Sequence, residues 1–314
     1  MNPNSNSLLN QIGNTPLVEL CSLSRDCNQP VLVKCEHLNP GGSVKDRIAK
    51  TILEDAEQRG LVRPGSTVIE ATAGNTGLAL ALVCAVRGYR LVCVMPERMS
   101  EDKRAALRAL GVELVLAPNK SSTHPENFRN LAMRLAEENG WYLTEQFDNP
   151  ANVRAHEDGT GPEILVQCGG KVGAFVSGAG SGGTITGVGR FLKRACPTTK
   201  IVLADPSGSI LARYVETGEV GEPGPYEVEG IGSGTVPGNF DRAVVDFAEV
   251  VPDEEAFAMA RRAICEEGLL IGGSAGTNLA AAIRVAQRDD LEGPVVTVGC
   301  DSWDRYRSCE WMRS

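Results

Sequence analysis

Residues 67–95 read TVIEATAGNTGLALALVCAVRGYRLVCVM, and the order of segments within them decides the fold class. Thr67–Glu70 predicts a strand. Thr76–Val86, rich in Ala and Leu and closed by Gly88, predicts a helix with a glycine stop. Leu91–Met95 predicts the next strand. Strand, helix and strand joined by short turns make a β-α-β unit, with parallel strands covered on both faces.

The same rhythm extends outward. On the N-terminal side Val31–Lys34 reads as a strand. After Pro40-Gly41-Gly42, residues Val44, Ile48, Ile52 and Ala56 recur at helical spacing until Gly60. On the other side a helix opens at Ser100, with Glu101 and Asp102 suiting the positive end of its dipole, and Val112–Leu116 repeats the strand. A second run follows. Gly173–Ser177 is a strand, a glycine turn leads into a helix with Ile185, Val188, Phe191 and Leu192 on one face, and Ile201–Ala204 is a strand again. Thr217–Pro237, full of Gly, Pro and acids, predicts a long loop over the surface or the site. Ala256–Glu267 is helical and Val295–Val298 is a last buried strand. The expected architecture is α/β, two such units facing each other, with ligands in the crevice at the carboxyl ends of the strands.

Composition narrows the function. Of 314 residues, 42% are apolar and 23% charged, which excludes wholesale disorder. Lys plus Arg number 31 against 40 Asp plus Glu, a net charge of −9 that argues against nucleic acid as a partner. The longest apolar run, Leu78–Val86, is too short to cross a bilayer. The opening MNPNSNSLLNQIGNTP lacks the layout of a signal peptide, so the expected location is cytoplasmic, with no membrane partner. Ten cysteines without any Cys-x-x-Cys, and three histidines (His37, His124, His156), point to reduced packing thiols and no metal site. Cys84, Cys93 and Cys265, inside apolar runs, read as core residues.

Three glycine-rich turns carry the chemistry. In Asn39-Pro40-Gly41-Gly42-Ser43-Val44-Lys45-Asp46-Arg47 a lysine falls in the first turn of a helix, where the dipole disfavours a positive charge. The plain alternative is a lysine snorkelling into solvent. The chemical one is an amine suited to a Schiff base with an aldehyde. In Thr72-Ala73-Gly74-Asn75-Thr76-Gly77, N–H groups and hydroxyls at a helix start suit a carboxylate. In Gly178-Ala179-Gly180-Ser181-Gly182-Gly183-Thr184 the backbone closes around an anion and Thr184 adds a hydroxyl, the layout of a phosphate cradle. Either of these glycine turns is also compatible with a tight structural turn. No lysine follows the last glycine, so the third turn is not a Walker loop.

The whole chain, from Ile12-Gly13-Asn14-Thr15-Pro16-Leu17 to Trp311-Met312, resembles the cysteine synthase and cystathionine β-synthase family, fold-type II pyridoxal-phosphate enzymes. Five pieces in family order carry the resemblance: the Asn39–Arg47 motif, the Thr72–Gly77 loop, Gln146 before Asn149-Pro150-Ala151-Asn152, the Gly178–Thr184 loop, and Gly272-Gly273-Ser274-Ala275-Gly276. Glu229-Gly230-Ile231-Gly232 and Asp205–Ile210 are similar to cystathionine β-synthases, and Thr160–Ile164 to cysteine synthases.

The resemblance implies two parallel-sheet, three-layer α/β/α domains with pyridoxal 5'-phosphate in the cleft between them. A smaller, mobile domain would span residues 45–150. The larger, residues 1–44 plus 151–314, would carry the phosphate loop. Lys45 would be the catalytic residue, holding the cofactor and carrying the proton. Asn75 would bond the cofactor's phenolic oxygen, Gly180, Ser181, Gly182, Gly183 and Thr184 its phosphate, and Ser274 its pyridine nitrogen. Thr72, Ala73, Gly74, Thr76 and Gln146 would take the substrate carboxylate, with Gly232 on the substrate side. The implied reaction is β-replacement on serine or an acetyl- or phosphoryl-activated serine through an aminoacrylate. A thiol adds to give cysteine or cystathionine, in a homodimer acting on small amino acids. A 2,3-diaminopropionate-forming synthase and a serine or threonine deaminating lyase are the alternatives. Three segments depart from the family: Ala73 stands where a serine is usual, Ser233-Gly234-Thr235 where an aromatic and an acid are common, and Cys300-Asp301-Ser302-Trp303 where Pro-Asp-Ser-Gly is usual.

Overall fold

The computed structural model describes residues 7–72, 74–97, 99, 101–121 and 124–313. Strands β1 (Leu17–Glu19) and β2 (Val31–Lys34) come first, then helix α1 (Lys45–Gln58). The stretch that decides the fold becomes β3 (Thr67–Ala71), α2 (Asn75–Arg87) and β4 (Arg90–Pro96), continued by α3 (Glu101–Ala109) and β5 (Glu113–Ala117). Ser100, read as the start of α3, lies outside the described residues. Next are α4 (Phe128–Asn139), β6 (Tyr142–Leu143) and α5 (Pro150–Ala155), which passes through a π-helical turn, His156–Thr160, into α6 (Gly161–Gln167). Then follow β7 (Ala174–Ser177), α7 (Gly183–Ala195), β8 (Lys200–Pro206) and α8 (Leu211–Thr217). The last elements of regular length are β9 (Phe247–Val251), α9 (Asp253–Glu267), α10 (Gly273–Ala286) and β10 (Val295–Val298).

The chain divides into two compact units, Met1–Ile12 with Lys45–Asn152 and Gly13–Val44 with Val153–Ser314. The expected division put all of residues 1–44 in the larger unit. The described residues up to Ile12 instead group with the smaller one, because Leu9 and Ile12 bury in its core beside Ala49, Leu53 and Leu80.

The smaller unit holds a four-stranded sheet in the order β5-β4-β3-β6, every pair parallel. Alternation along the strands sorts its two faces. Val68, Leu91 and Cys93 pack with residues of α1 and α2, while Ile69, Val92 and Val94 pack with Ala132 and Ala136 of α4. The larger unit holds six strands in the order β1-β2-β10-β7-β8-β9. Val31, Ala174, Val176 and Val202 meet the alanines of α9 and α10, and Phe175, Ile201, Leu203 and Val296 meet α6, α7 and α8. Each unit is therefore a three-layer sandwich.

Two readings are corrected. The larger sheet is parallel except at its edge, where β1 runs antiparallel to β2. Cys84 and Cys93 are buried, but Cys265 is exposed, because α9 turns Ala256, Ala260 and Ala263 inward and leaves position 265 outside. Among the described residues no helix is long and apolar enough to cross a membrane.

Candidate active site

In the smaller unit Lys45 is the first residue of α1 and half-buried. Its helix shares a core with α2 through Ala49, Leu53, Leu80 and Val83. The turn from β3 into α2 carries Thr72, Gly74, Asn75 and Thr76. Thr72 N–H donates to Val94 O (3.0 Å), continuing the β3–β4 ladder, and Gly74 N–H donates to Thr72 Oγ1 (3.3 Å). Thr76 Oγ1 donates to Gln146 Oε1 at 2.6 Å, so two residues remote in sequence meet in the buried base of this turn. Asn75 sits half-buried in the same turn. Ala73 lies outside the described residues.

In the larger unit the loop from β7 into α7 holds Gly180–Thr184. Its glycines answer to neighbouring backbone. A Cβ at Gly180 would run into Gly230 O. At Gly182, with φ +85°, a Cβ would stand 2.7 Å from Phe240 N and 2.8 Å from Phe240 Cα. The sequence reading tied these glycines to an approaching anion, whereas contact with Gly230 and Phe240 already requires them. Gly232, at φ +78°, donates its N–H to Ala179 O (2.9 Å), which lays the Gly230–Gly232 turn against the loop. Ser274 is buried in the first turn of α10. That helix also reaches the loop, since Asn278 Oδ1 accepts from Gly178 N–H at 2.7 Å.

Sequence reasoning missed the role of His156 beside the loop, and it singled out Cys300–Trp303 only as a departure from the family, without its tie to the lysine turn. His156, fully buried in the π-helical turn, places Nε2 3.2 Å from Thr184 Oγ1 and Nδ1 2.9 Å from Thr160 Oγ1, buttressing the hydroxyl that ends the loop. The segment Cys300–Ser302 is joined to the turn that leads into Lys45. Val44 N–H donates to Cys300 O (2.8 Å), Ser302 N–H donates to Gly42 O (3.1 Å), and the Arg305 guanidinium donates to Gly41 O. The departure at 300–303 thus falls on the support of the lysine-bearing turn.

The electrostatics suit anions. Glycines 74, 182 and 272 occupy the N-cap positions of α2, α7 and α10, and no acid stands in the first turn of any of the three. Elsewhere α4 is capped by the Asn127 side chain, and α9 opens on Asp253, Glu254 and Glu255. At α2 and α7 a start with neither a side-chain cap nor an acid leaves its N–H groups and dipole for an external anion, whereas at α10 the buried Asp301 carboxyl stands beside Gly272. The donors at α7, neutral and reinforced by Thr184, fit a phosphate group. Two buried carboxyl groups stand close by in their respective units. Burial pushes Glu70, beside Thr144 and Gln146, above the usual carboxylate range. Burial likewise raises Asp205 to about 6, opposed by the N–H of Ala212.

Residues 8–301 match the pyridoxal-phosphate dependent enzyme family. The chain is 49% identical to the cystathionine beta-synthase of Rattus norvegicus over 97% of its own length, but spans only 56% of that relative. It is 44% identical to a cysteine synthase of Staphylococcus aureus, covering 95% of this chain and 94% of that one. The crystal structure of an O-ureido-L-serine synthase superposes with a TM-score of 0.90 at 39% identity, over 98% of this chain and 95% of the other. The lysine turn, the acid-free helix starts and this similarity along nearly the whole chain agree: the protein belongs to the pyridoxal-phosphate dependent enzymes, within the cysteine synthase and cystathionine β-synthase family.

Proposed function

We propose that this chain catalyses β-replacement on serine or an O-activated serine, acetyl or phosphoryl, adding a thiol to form cysteine or cystathionine. The observation that carries the reading is the set of three glycine-capped, acid-free helix starts at α2, α7 and α10, each holding residues of the expected site. When bound, pyridoxal phosphate supplies an electron sink for bond breaking at the amino acid's α-carbon. Gly180–Thr184 would hold its phosphate, Asn75 its phenolic oxygen and Ser274 its ring nitrogen. A hydroxyl at 274, unlike a carboxylate, does not keep that nitrogen protonated, and the weaker sink favours elimination of a β-substituent.

Lys45 Nζ would hold the cofactor and then take and return the substrate's α-proton. Thr72, Ala73, Gly74, Thr76 and Gln146 would bind the substrate carboxylate at the start of α2, where N–H groups and hydroxyls converge. Gly232 and its turn would face the incoming nucleophile. The same reading carries a cytoplasmic homodimer.

A second reading keeps the chemistry and changes the nucleophile. It is favoured by the O-ureido-L-serine synthase similarity and by Ser233, where the acceptor-side turn is held by Ser209 Oγ accepting from Ser233 N–H (3.0 Å) and carries no aromatic side chain. An amine or a ureido oxygen would then replace the thiol, and 2,3-diaminopropionate is one such product. The test is a matrix of serine, O-acetylserine and O-phosphoserine against sulfide, cysteine, homocysteine, amines and hydroxyurea, with products identified by mass. A thiol adduct as the dominant product supports the first reading, and a nitrogen or oxygen adduct the second. Ammonia and pyruvate from every pairing would overturn replacement in favour of a deaminating lyase.

A further inference from the structure

Among the described residues only Asn14 and Glu145 are non-glycine residues at positive φ, and Glu145, at +52°, is the one beside a site residue. A residue with a Cβ takes that conformation only when its surroundings impose it. The Glu145 side chain is exposed, so the constraint comes from its neighbours. Both of them bond to one atom. Glu70 Oε2 accepts from Thr144 Oγ1 on one side of Glu145 and from Gln146 N–H (3.3 Å) on the other. Glu70 is itself held in β3, paired with Cys93 of β4, and its Oε1 accepts from Ala71 N–H at 3.0 Å. Asn152 Nδ2 closes the turn from the far side by donating to Gln146 O (2.7 Å).

The side chain of Gln146 is fixed by the same group. Its Oε1 accepts from Thr76 Oγ1 (2.6 Å), and its amide also bonds to the Glu70 carboxylate. Reversing the amide would set its carbonyl against a carboxyl group whose oxygens already accept from Ala71 N–H, Thr144 Oγ1 and Gln146 N–H, so that two acceptors would face each other. A carboxylate at 70 therefore selects the rotamer that keeps an N–H edge available, the edge a substrate carboxylate needs.

We propose that Glu70 is a positioning residue for Gln146: its buried carboxylate imposes the left-handed turn at Glu145 and the amide orientation that presents Gln146 to the substrate's carboxylate. The inference rests on the proposed carboxylate site at α2.

The test titrates the cofactor-loaded protein with serine, O-acetylserine and O-phosphoserine, following the absorbance of the bound cofactor, alongside steady-state kinetics. Glu70→Gln is isosteric but leaves fewer acceptors and lets the amide reverse. Loss of one buried hydrogen bond corresponds to a rise of about tenfold in apparent Kd and KM, with kcat held within a few-fold. Thr144→Val, which removes only the hydroxyl donor, shifts the same way by less and carries the test if Glu70→Gln fails to fold. Adding Glu145→Gly to either variant restores part of the affinity, because glycine takes φ +52° without support.

Unchanged affinity in both variants overturns the proposal. So does a loss of affinity that tracks lost kcat and lower melting temperature with no rescue by Glu145→Gly, which would make Glu70 merely structural. If the unaltered protein gives no response to any of the three amino acids, the proposed function fails first and the inference with it.

Discussion

Gly182→Ala perturbs the loop proposed to hold the cofactor phosphate at one atom, and two costs can be worked from the structure. The first is conformational: φ is +85°, and a residue with a Cβ in the left-handed region costs about 1–2 kcal/mol. The second is steric. The new Cβ would sit 2.7 Å from Phe240 N and 2.8 Å from Phe240 Cα, backbone atoms that cannot swing aside, and Phe240 is packed in the core of the larger unit. Overpacking of this kind costs about 1–3 kcal/mol, for a total of about 2–5 kcal/mol. Gly169→Ala is the matched control. Gly169 has φ +66° but nothing within 4 Å of its Cβ position, so it bears the first cost alone. The assay is urea unfolding of wild type and both variants, with and without added pyridoxal phosphate. Gly182→Ala is expected to lose about 1–3 kcal/mol more than Gly169→Ala. On the proposed phosphate site it is also expected to gain less stability from the cofactor, because a displaced loop would hold the phosphate less well. Equal losses in the two variants would refute the packing argument. A full cofactor gain in a destabilised Gly182→Ala would place the phosphate elsewhere.

Two further predictions concern buried charges in the larger unit. Asp205 has a folded value of about 6 against an ordinary 3.8, so the folded state holds its proton more tightly. The stability this contributes is complete below 3.8 and lost as pH rises through about 6. Relative to Asp205→Asn, wild type should therefore weaken by on the order of 3 kcal/mol across that window, measured by urea unfolding at each pH. A difference that does not vary with pH would show that Asp205 does not titrate there. Lys34, fully buried, bonds to Thr15 O (2.7 Å) and Gln167 Oε1 (2.9 Å) and pairs with Glu163 at 2.6 Å. Glu163→Gln strands the ammonium and should cost about 3–5 kcal/mol, whereas Lys34→Met with Glu163→Leu should recover most of that loss. A loss below about 1 kcal/mol in the single variant would count against the pair.

What the sequence discloses follows from how each element is stabilised. The run from Thr67 to Met95 is legible because apolar strands alternate with a helix that ends on Gly88, and each signal is local. The turns at 72–77 and 178–184 are legible because glycines stand where side-chain caps would otherwise sit at the starts of α2 and α7, and the turn at 39–47 because a lysine opens a helix. Helix α10 is not: 12 of its 14 residues are buried, so it carries no amphipathic stripe, although it bears Ser274. The antiparallel β1 has three residues, too few for a period to show. The meeting of Gln146 with Thr76 depends on β6, two residues long, pairing Leu143 with Ile69 and so carrying Thr144–Gln146 to the end of β3. Glu70, a lone acid in an apolar strand, was the available signal. Its meaning needed the positive φ of Glu145, which no residue pattern discloses.

The central claim is that Lys45, at the head of α1, is the lysine that holds pyridoxal phosphate. The most direct measurement is borohydride reduction of the cofactor-loaded protein, followed by proteolysis and mass mapping of the modified peptide. The expected result is a single phosphopyridoxyl adduct on Lys45, absent from Lys45→Ala, which also loses turnover while still binding the cofactor non-covalently. An adduct on another lysine, or a protein that takes up no cofactor and gives no adduct, would contradict the account.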